Sequence, residues 1–195
     1  MAFLNQFIMK QTFILLLAFI SLFSCDSKTE FKSIKVNDYS ISLPDFLSEG
    51  KDLNDDASLQ YQNLFKEFYI VVIDESKESF KEAIEINELE DIYESNFDGY
   101  TKLLIGNLEA AVTFKNKKEI ETKINGLPAK ILEFEGNVDG IDIYYQVAYI
   151  DGITNYYQIM TWTLADKKET YKETMDEMFQ SFKVSNRKKE IKKGK

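Results

Sequence analysis

The chain has 195 residues, with 24 Lys and Arg against 33 Asp and Glu, a formal net charge of −9, no histidine and one cysteine. The acidic balance argues against nucleic acid as a partner and against broad adhesion to anionic lipid. Lacking histidine and carrying one cysteine, the chain is without imidazole catalysis, internal disulfides and the usual Zn, Cu and haem ligand sets; only oxygen-donor cation sites stay open, and no metal or cofactor is expected.

At the amino terminus, Lys10 is the one charge before an apolar run, Phe13-Ile14-Leu15-Leu16-Leu17-Ala18-Phe19-Ile20-Ser21-Leu22-Phe23-Ser24, that ends at Cys25. This is the layout of a secretion signal. The run falls short of the roughly 20 apolar residues a permanent transmembrane helix needs, so residues 1–24 read as a cleaved signal peptide. Leu22-Phe23-Ser24-Cys25 resembles the lipobox of bacterial lipoproteins. That resemblance implies that the Cys25 thiol takes up diacylglycerol, that the signal is cut before it, and that the new amino terminus gains a further acyl chain. One acyl chain is a marginal anchor, whereas two or three hold firmly. The alternatives are an ordinary cleaved signal with a leftover cysteine, or an uncleaved amino-terminal anchor. An unpaired cysteine in an exported protein needs a reason, and lipidation supplies one. The expected location is the bacterial cell envelope, with the domain outside the cytoplasm and joined to a membrane through Cys25.

Removing residues 1–24 leaves 171 residues of net charge −10, because Lys10 is the only charge lost. That length suits one domain with a substantial core. Residues 25–30 are the lipidated terminus and a short polar spacer, 31–185 the folded domain and 186–195 a basic, solvated tail that can touch anionic headgroups.

Along the domain, Phe31 to Val36 and Tyr39 to Leu43 read as strands about the turn pair Asn37-Asp38, with Tyr39, Ile41 and Leu43 on one face. Ser58 to Asn63 and Phe68 to Asp74 form the next pair. Phe68 to Ile73 is apolar throughout, which marks a central strand covered on both faces. Ser76 to Ile86 holds a short helix or an irregular approach. From Glu88 to Leu108 apolar residues recur at three and four, predicting a helix capped by Asn87 with Glu90 completing a box, and weakened by Gly99 and Gly106. Ala111 to Lys115 and Glu119 to Ile124 suggest a hairpin about Asn116-Lys117-Lys118. Three further strands follow, Ala129 to Glu135, Ile141 to Ile150 and Ile153 to Trp162, entered by Asn125-Gly126 and separated by Asp139-Gly140 and Asp151-Gly152, as in an antiparallel meander. A last helix, capped by Thr163 or Asp166, buries Tyr171, Met175, Met178, Phe179 and Phe182.

In this order the elements from Tyr39 to Val184 resemble the PsbP-like domains. The resemblance rests on Tyr39-Ser40-Ile41-Ser42-Leu43-Pro44, the Phe68 to Asp74 strand, Ile124-Asn125-Gly126-Leu127-Pro128-Ala129-Lys130, Tyr156-Tyr157-Gln158-Ile159-Met160-Thr161-Trp162-Thr163 and Phe179-Gln180-Ser181-Phe182-Lys183. It implies an α+β fold, an α/β/α sandwich whose mainly antiparallel central sheet is flanked by helices. Members act mostly as binding or assembly factors, and no shared catalytic residues carry over.

Candidate sites follow from residue chemistry. Tyr144, Tyr156 and Trp162, on adjacent strands, are the partner- or ligand-binding candidates, with core packing beneath the helices as the competing use of such aromatics. Asp52, Asn54, Asp55 and Asp56 are the densest oxygen cluster but lack the glycine and distant glutamate of an EF-hand loop. Glu133 and Glu135 share a strand face and offer a carboxylate pair for glycoside chemistry, or simply a solvated face. Ser40, Ser42 and Ser181 have no general base in reach of sequence motif. The leading reading is therefore a non-enzymatic, lipid-anchored envelope module that binds or assembles with a protein or small ligand. The alternatives are a structural or stress-linked lipoprotein and a carboxylate-dependent hydrolase.

Lipidation is checked by intact mass. The protein extracted from membranes should begin at Cys25 and carry acyl mass, and Cys25→Ala should accumulate as an unacylated precursor that keeps residues 1–24; an unmodified Cys25 in the parent protein would overturn the assignment.

Overall fold

In the computed structural model, which describes residues 29–185, two antiparallel sheets and three helices are built. The signal segment, Cys25 and the basic tail lie outside the described residues. Strands β1 (Phe31–Val36) and β2 (Tyr39–Pro44) form the expected hairpin, pairing Phe31 with Pro44 and Val36 with Tyr39. Its tight turn uses Asn37 at φ 45°, a conformation asparagine tolerates better than most residues. Strand β10 (Lys183–Val184), too short to be read from sequence, pairs with Ser40 and Tyr39 and completes a three-stranded sheet ordered β1-β2-β10.

The larger sheet has seven strands in the order β3-β4-β5-β9-β8-β7-β6. They are β3 (Ser48–Glu49), β4 (Leu59–Asn63), β5 (Phe68–Ser76), β6 (Lys115–Ile124), β7 (Leu127–Val138), β8 (Ile141–Asp151) and β9 (Asn155–Leu164). The meander is present as β7-β8-β9. Asn125-Gly126 and Asp139-Gly140 each place both turn residues at positive φ, the pattern that matches the twist of a two-residue hairpin. The expected hairpin about Asn116-Lys117-Lys118 is instead an irregularity within β6. Lys115 faces Glu135 and Lys118 faces Glu133, so two residues lie between these partners on β6 where only Phe134 lies between them on β7, one extra residue that makes a bulge.

Helix α1 (Lys77–Ile86) starts at Ser76, whose side chain accepts from the Ser79 N–H at 2.9 Å. Asn87 was expected to open the following helix, but it closes α1, its side chain donating to the Ala83 carbonyl at 2.7 Å. Helix α2 (Phe97–Ala111) begins ten residues later under Asn96, whose Oδ1 accepts from Gly99 N–H at 3.0 Å. The apolar period continues through residues 88–96 because Leu89 and Tyr93 pack on the same core without being helical. Gly99 permits the tight approach: a Cβ there would fall 1.8 Å from the Glu94 carbonyl oxygen. Helix α3 (Lys168–Ser181) follows a 3-10 turn at Ala165–Lys167 and has no side-chain cap. Neither expected cap serves, because Thr163 belongs to β9 and Asp166 lies inside that turn.

The layers follow the alternation of the strands. Phe80 and Ile84 of α1 and Tyr100 and Ile105 of α2 cover Leu132, Phe134, Val147, Tyr149 and Tyr156 on one face of the large sheet. Met175, Met178, Phe179 and Phe182, together with Tyr39, Ile41 and Leu43 of the small sheet, cover Phe68, Ile70, Val72, Tyr157 and Ile159 on the other. The result is an α+β architecture with an antiparallel sheet covered on both faces. Among the described residues no helix is long and apolar enough to cross a membrane.

The two glycines of α2 should respond oppositely to alanine. Gly106 has nothing within 4 Å of an added Cβ, so Gly106→Ala should stabilise by about 1 kcal/mol. Gly99→Ala should destabilise by about 2 kcal/mol or more through the clash with Glu94. Urea unfolding midpoints check both.

Candidate functional site

The three aromatic candidates do not form one surface. Tyr144 is 1% exposed and faces α3, whereas Tyr156 is 3% exposed and faces α1 and α2. Tyr156 stacks on Tyr100 at 4.5 Å and meets Phe80 edge-on at 5.8 Å. Both rings are thus core, and their place on adjacent strands conceals that they point to opposite sides of the sheet. Trp162 is half-buried and lies flat on Tyr69, with ring centroids 5.2 Å apart. It is the one member of the trio that reaches solvent.

Around Tyr144 the sheet is polar. Glu133 and Glu135 project from β7 toward α3, not into open solvent, and the helix answers with Lys172 on Glu133 at 2.6 Å and Lys168 on Glu135 at 3.2 Å. Asp176 accepts from Gln146 Nε2 at 2.5 Å and lies 3.7 Å from Lys172. The Lys168 ammonium sits 4.8 Å from the centre of the Tyr144 ring. Burial alone would raise the Glu133 carboxyl, but the Lys172 hydrogen bond and charge, aided by Lys118, hold it below the usual range. The Tyr144 hydroxyl is pushed up by burial and by the charges of Glu133 and Asp176. A glycosidase needs one carboxyl held protonated near neutrality, whereas Glu133 is held ionised by a lysine. The pair binds helix to sheet.

Among the remaining oxygen and hydroxyl candidates, the Asn54 and Ser181 side chains have structural partners. Gln60 Oε1 accepts from the backbone of Leu53 and Asn54, and Asn54 Oδ1 from Asp56 N–H, so the acidic loop is a side-chain-organised turn. Among the described residues no group of three or more His, Cys, Asp or Glu side chains can hold a metal ion. Ser181 Oγ donates to the Met178 carbonyl and accepts from Ser42 N–H.

The feature with room for a ligand was not singled out by motif. Between α2 and the edge strand β6 lies an open groove of about 630 Å³, lined by Tyr93, Asp98, Lys102, Ile105, Gly106, Glu109, Lys117, Glu119, Glu121 and Lys130. A smaller hollow of about 230 Å³ shares Asp98, Glu121 and Lys130 with it and continues to Pro128. Lys117 crosses one end, bonded to Glu109 at 2.6 Å and Glu119 at 2.7 Å, and these hydrogen bonds raise its affinity for its proton. Lys102 donates to the Ile92 carbonyl at 3.0 Å beside the Tyr93 ring. Gly106 leaves the wall low where any side chain would stand. The lining mixes four acids with three lysines, which suits an extended polar partner better than an apolar small molecule. A second cleft of about 530 Å³ separates Ile34 and Val36 of β1 from Leu59 and Tyr61 of β4.

No sequence-family model matches this chain, and no curated protein does. Solved structures resemble it at the level of fold. LpqN of Mycobacterium tuberculosis, involved in cell envelope biogenesis, aligns with a TM-score of 0.52 at 10% identity, covering 82% of this chain and 93% of its own. The cyanobacterial PsbP of Synechocystis sp. PCC 6803 aligns with a TM-score of 0.51 at 12% identity, covering 84% and 99%. The Ran-binding protein Mog1p of Saccharomyces cerevisiae reaches 0.46 at 12% identity, covering 80% and 96%. The likeness to LpqN and to the cyanobacterial PsbP is one of fold, a remote structural resemblance between small α/β proteins.

The Glu133–Lys172 pair sets a pH dependence. A carboxyl held below its unfolded value stabilises the fold above about pH 4.3 and loses that contribution as pH falls through the folded value. Lys172→Met should cost about 2 kcal/mol at neutral pH by leaving Glu133 buried without its cation. It should also move the acid limb of stability upward in pH, because burial then acts on Glu133 against the weaker opposition of Lys118 and Tyr144 alone. Urea midpoints measured across pH check both effects.

Proposed function

We propose that this chain is a non-enzymatic, lipid-anchored PsbP-like module of the bacterial cell envelope that binds a protein partner through the groove between α2 and β6. The observation that carries the reading is the groove itself: an open, charged trough beside an edge strand, shaped for a chain and not for an enclosed small molecule. Its charges can pair with a partner of mixed sign, favouring correct register over bulk affinity. The Glu133 and Glu135 carboxylates are occupied by lysines in the helix–sheet contact, which favours binding as the activity this domain supports. The envelope setting is supported by the Leu22 to Cys25 lipobox and by the likeness to LpqN, itself involved in envelope biogenesis.

The test is site-specific photocrosslinking in intact cells. A photoreactive residue at Lys102 should yield one discrete protein adduct, while the same residue at exposed Glu177 on α3 should not. Charge reversal by Lys130→Glu should weaken the Lys102 adduct several-fold, on the order of 1–2 kcal/mol for a rim charge. Equal adducts at both positions, or none at either, would reject the groove.

A further inference from the structure

One pole of the domain presents apolar side chains to solvent on two hairpin tips. Leu64 and Phe65, between β4 and β5, are 65% and 98% exposed, and Val138 and Ile141, about the Asp139-Gly140 turn, are 37% and 53% exposed. Strand register brings these tips to the same side. Phe68 pairs with Thr163 and Ile143 with Leu164, so the start of β5, the end of β9 and the start of β8 lie together. Between the tips runs the Ala165–Lys167 turn, from which Lys167 Nζ donates to Glu67 at 3.0 Å and to the Lys66 carbonyl at 3.3 Å.

The chain enters the domain at this same pole. Phe31 pairs with Pro44, and two residues later Phe46 meets Phe68 edge-on at 5.8 Å while its carbonyl accepts from Asn63 Nδ2 at 2.7 Å. Only Asp26 to Glu30 separate Cys25 from Phe31, a reach of roughly 20 Å at full extension.

We propose that this pole rests on the bilayer, with Leu64 and Phe65 entering the headgroup–acyl boundary and Val138 and Ile141 touching it. The inference rests on the lipidation of Cys25, since the short tether is what holds the pole against lipid and makes a bilayer, not a protein, the occupant. Exposed apolar residues on a tight tip gain from that boundary. The charges around them are of both signs, Lys66, Lys115 and Lys167 against Glu67, Asp139, Asp142 and Asp166. The contact is therefore apolar in origin and should not depend on anionic lipid.

The experiment uses the acylated protein, purified from membranes and carrying Phe65→Trp with Trp162→Phe, in phosphatidylcholine vesicles whose acyl chains are brominated near the headgroup. The protein should float with the vesicles, and its emission should fall roughly two-fold against unbrominated vesicles, as for a ring about 5–10 Å inside the boundary. Adding phosphatidylglycerol should leave that quench unchanged. Flotation without quenching overturns the tip contact while the anchor stands. Failure to float overturns the anchor and this inference together. Because replacing Trp162 disturbs its stack on Tyr69, a nitroxide on Phe65→Cys in the otherwise native protein reads the same depth by oxygen accessibility, with Glu177→Cys as the water-exposed comparison. A label at 65 as water-exposed as that at 177 also overturns the proposal.

Discussion

The fold turns on three aromatic rings. Tyr39 of the small sheet, Tyr157 of the large sheet and Phe182 at the end of α3 lie 5.0–5.7 Å apart, each at most 1% exposed. Their polar ends are satisfied, Tyr39 with Ser58 at 2.9 Å and Tyr157 donating to Asp38 at 2.8 Å, so apolar contact is gained without leaving a hydroxyl unpaired. Each such ring contributes about 1.5–3 kcal/mol by leaving water. Asn125 adds a polar stitch, donating to the carbonyls of Gln180 and Phe182 where α3 ends. Ile41 and Leu43 of the small sheet are buried in the same core.

Two kinds of interior share the α3 face. Toward the end of the helix it is greasy and dense, with Met175, Met178, Phe179 and Phe182 fully buried. Toward its start it is ionic, with Lys168, Lys172 and Asp176 over Glu133, Glu135 and Gln146. Burying charge costs more than packing methylenes, so the ionic half adds orientation more than net stability. The uncapped start of α3 fits that division, because the lysines reaching down from its first two turns fix where the helix lies.

Much of the architecture was legible from alternation and turn chemistry. The Asn125-Gly126 and Asp139-Gly140 pairs, the apolar run from Phe68 and the stripe of α3 each corresponds to an observed element. Several boundaries were not. The apolar period ran across Asn87 because Leu89 and Tyr93 pack while in turns, and a bulge at Asn116 has the composition of a hairpin tip. Strand β10 is defined by a partner more than a hundred residues away. The aromatic candidates failed as a group because adjacency in strands does not reveal which face a ring takes. The groove had no signature at all: it is the space between Gly106 and charged residues that read singly as solvated surface.

The β10 clip has a mechanical consequence. β1 and β10 both pair with β2, and the described chain enters at Phe31 beside Pro44 but leaves at Ser185, whose N–H and hydroxyl both bond the Asp38 carbonyl at the other end of β2. The two exits therefore stand at opposite poles, and tension between them runs along the strands. Pulled this way, the β1–β2 ladder is sheared, with its six residue pairs loaded together, instead of being unzipped one pair at a time. A domain held at the Phe31 pole and loaded from Ser185 would thus meet the force in shear, with the two pairs of β10 in the same line of load.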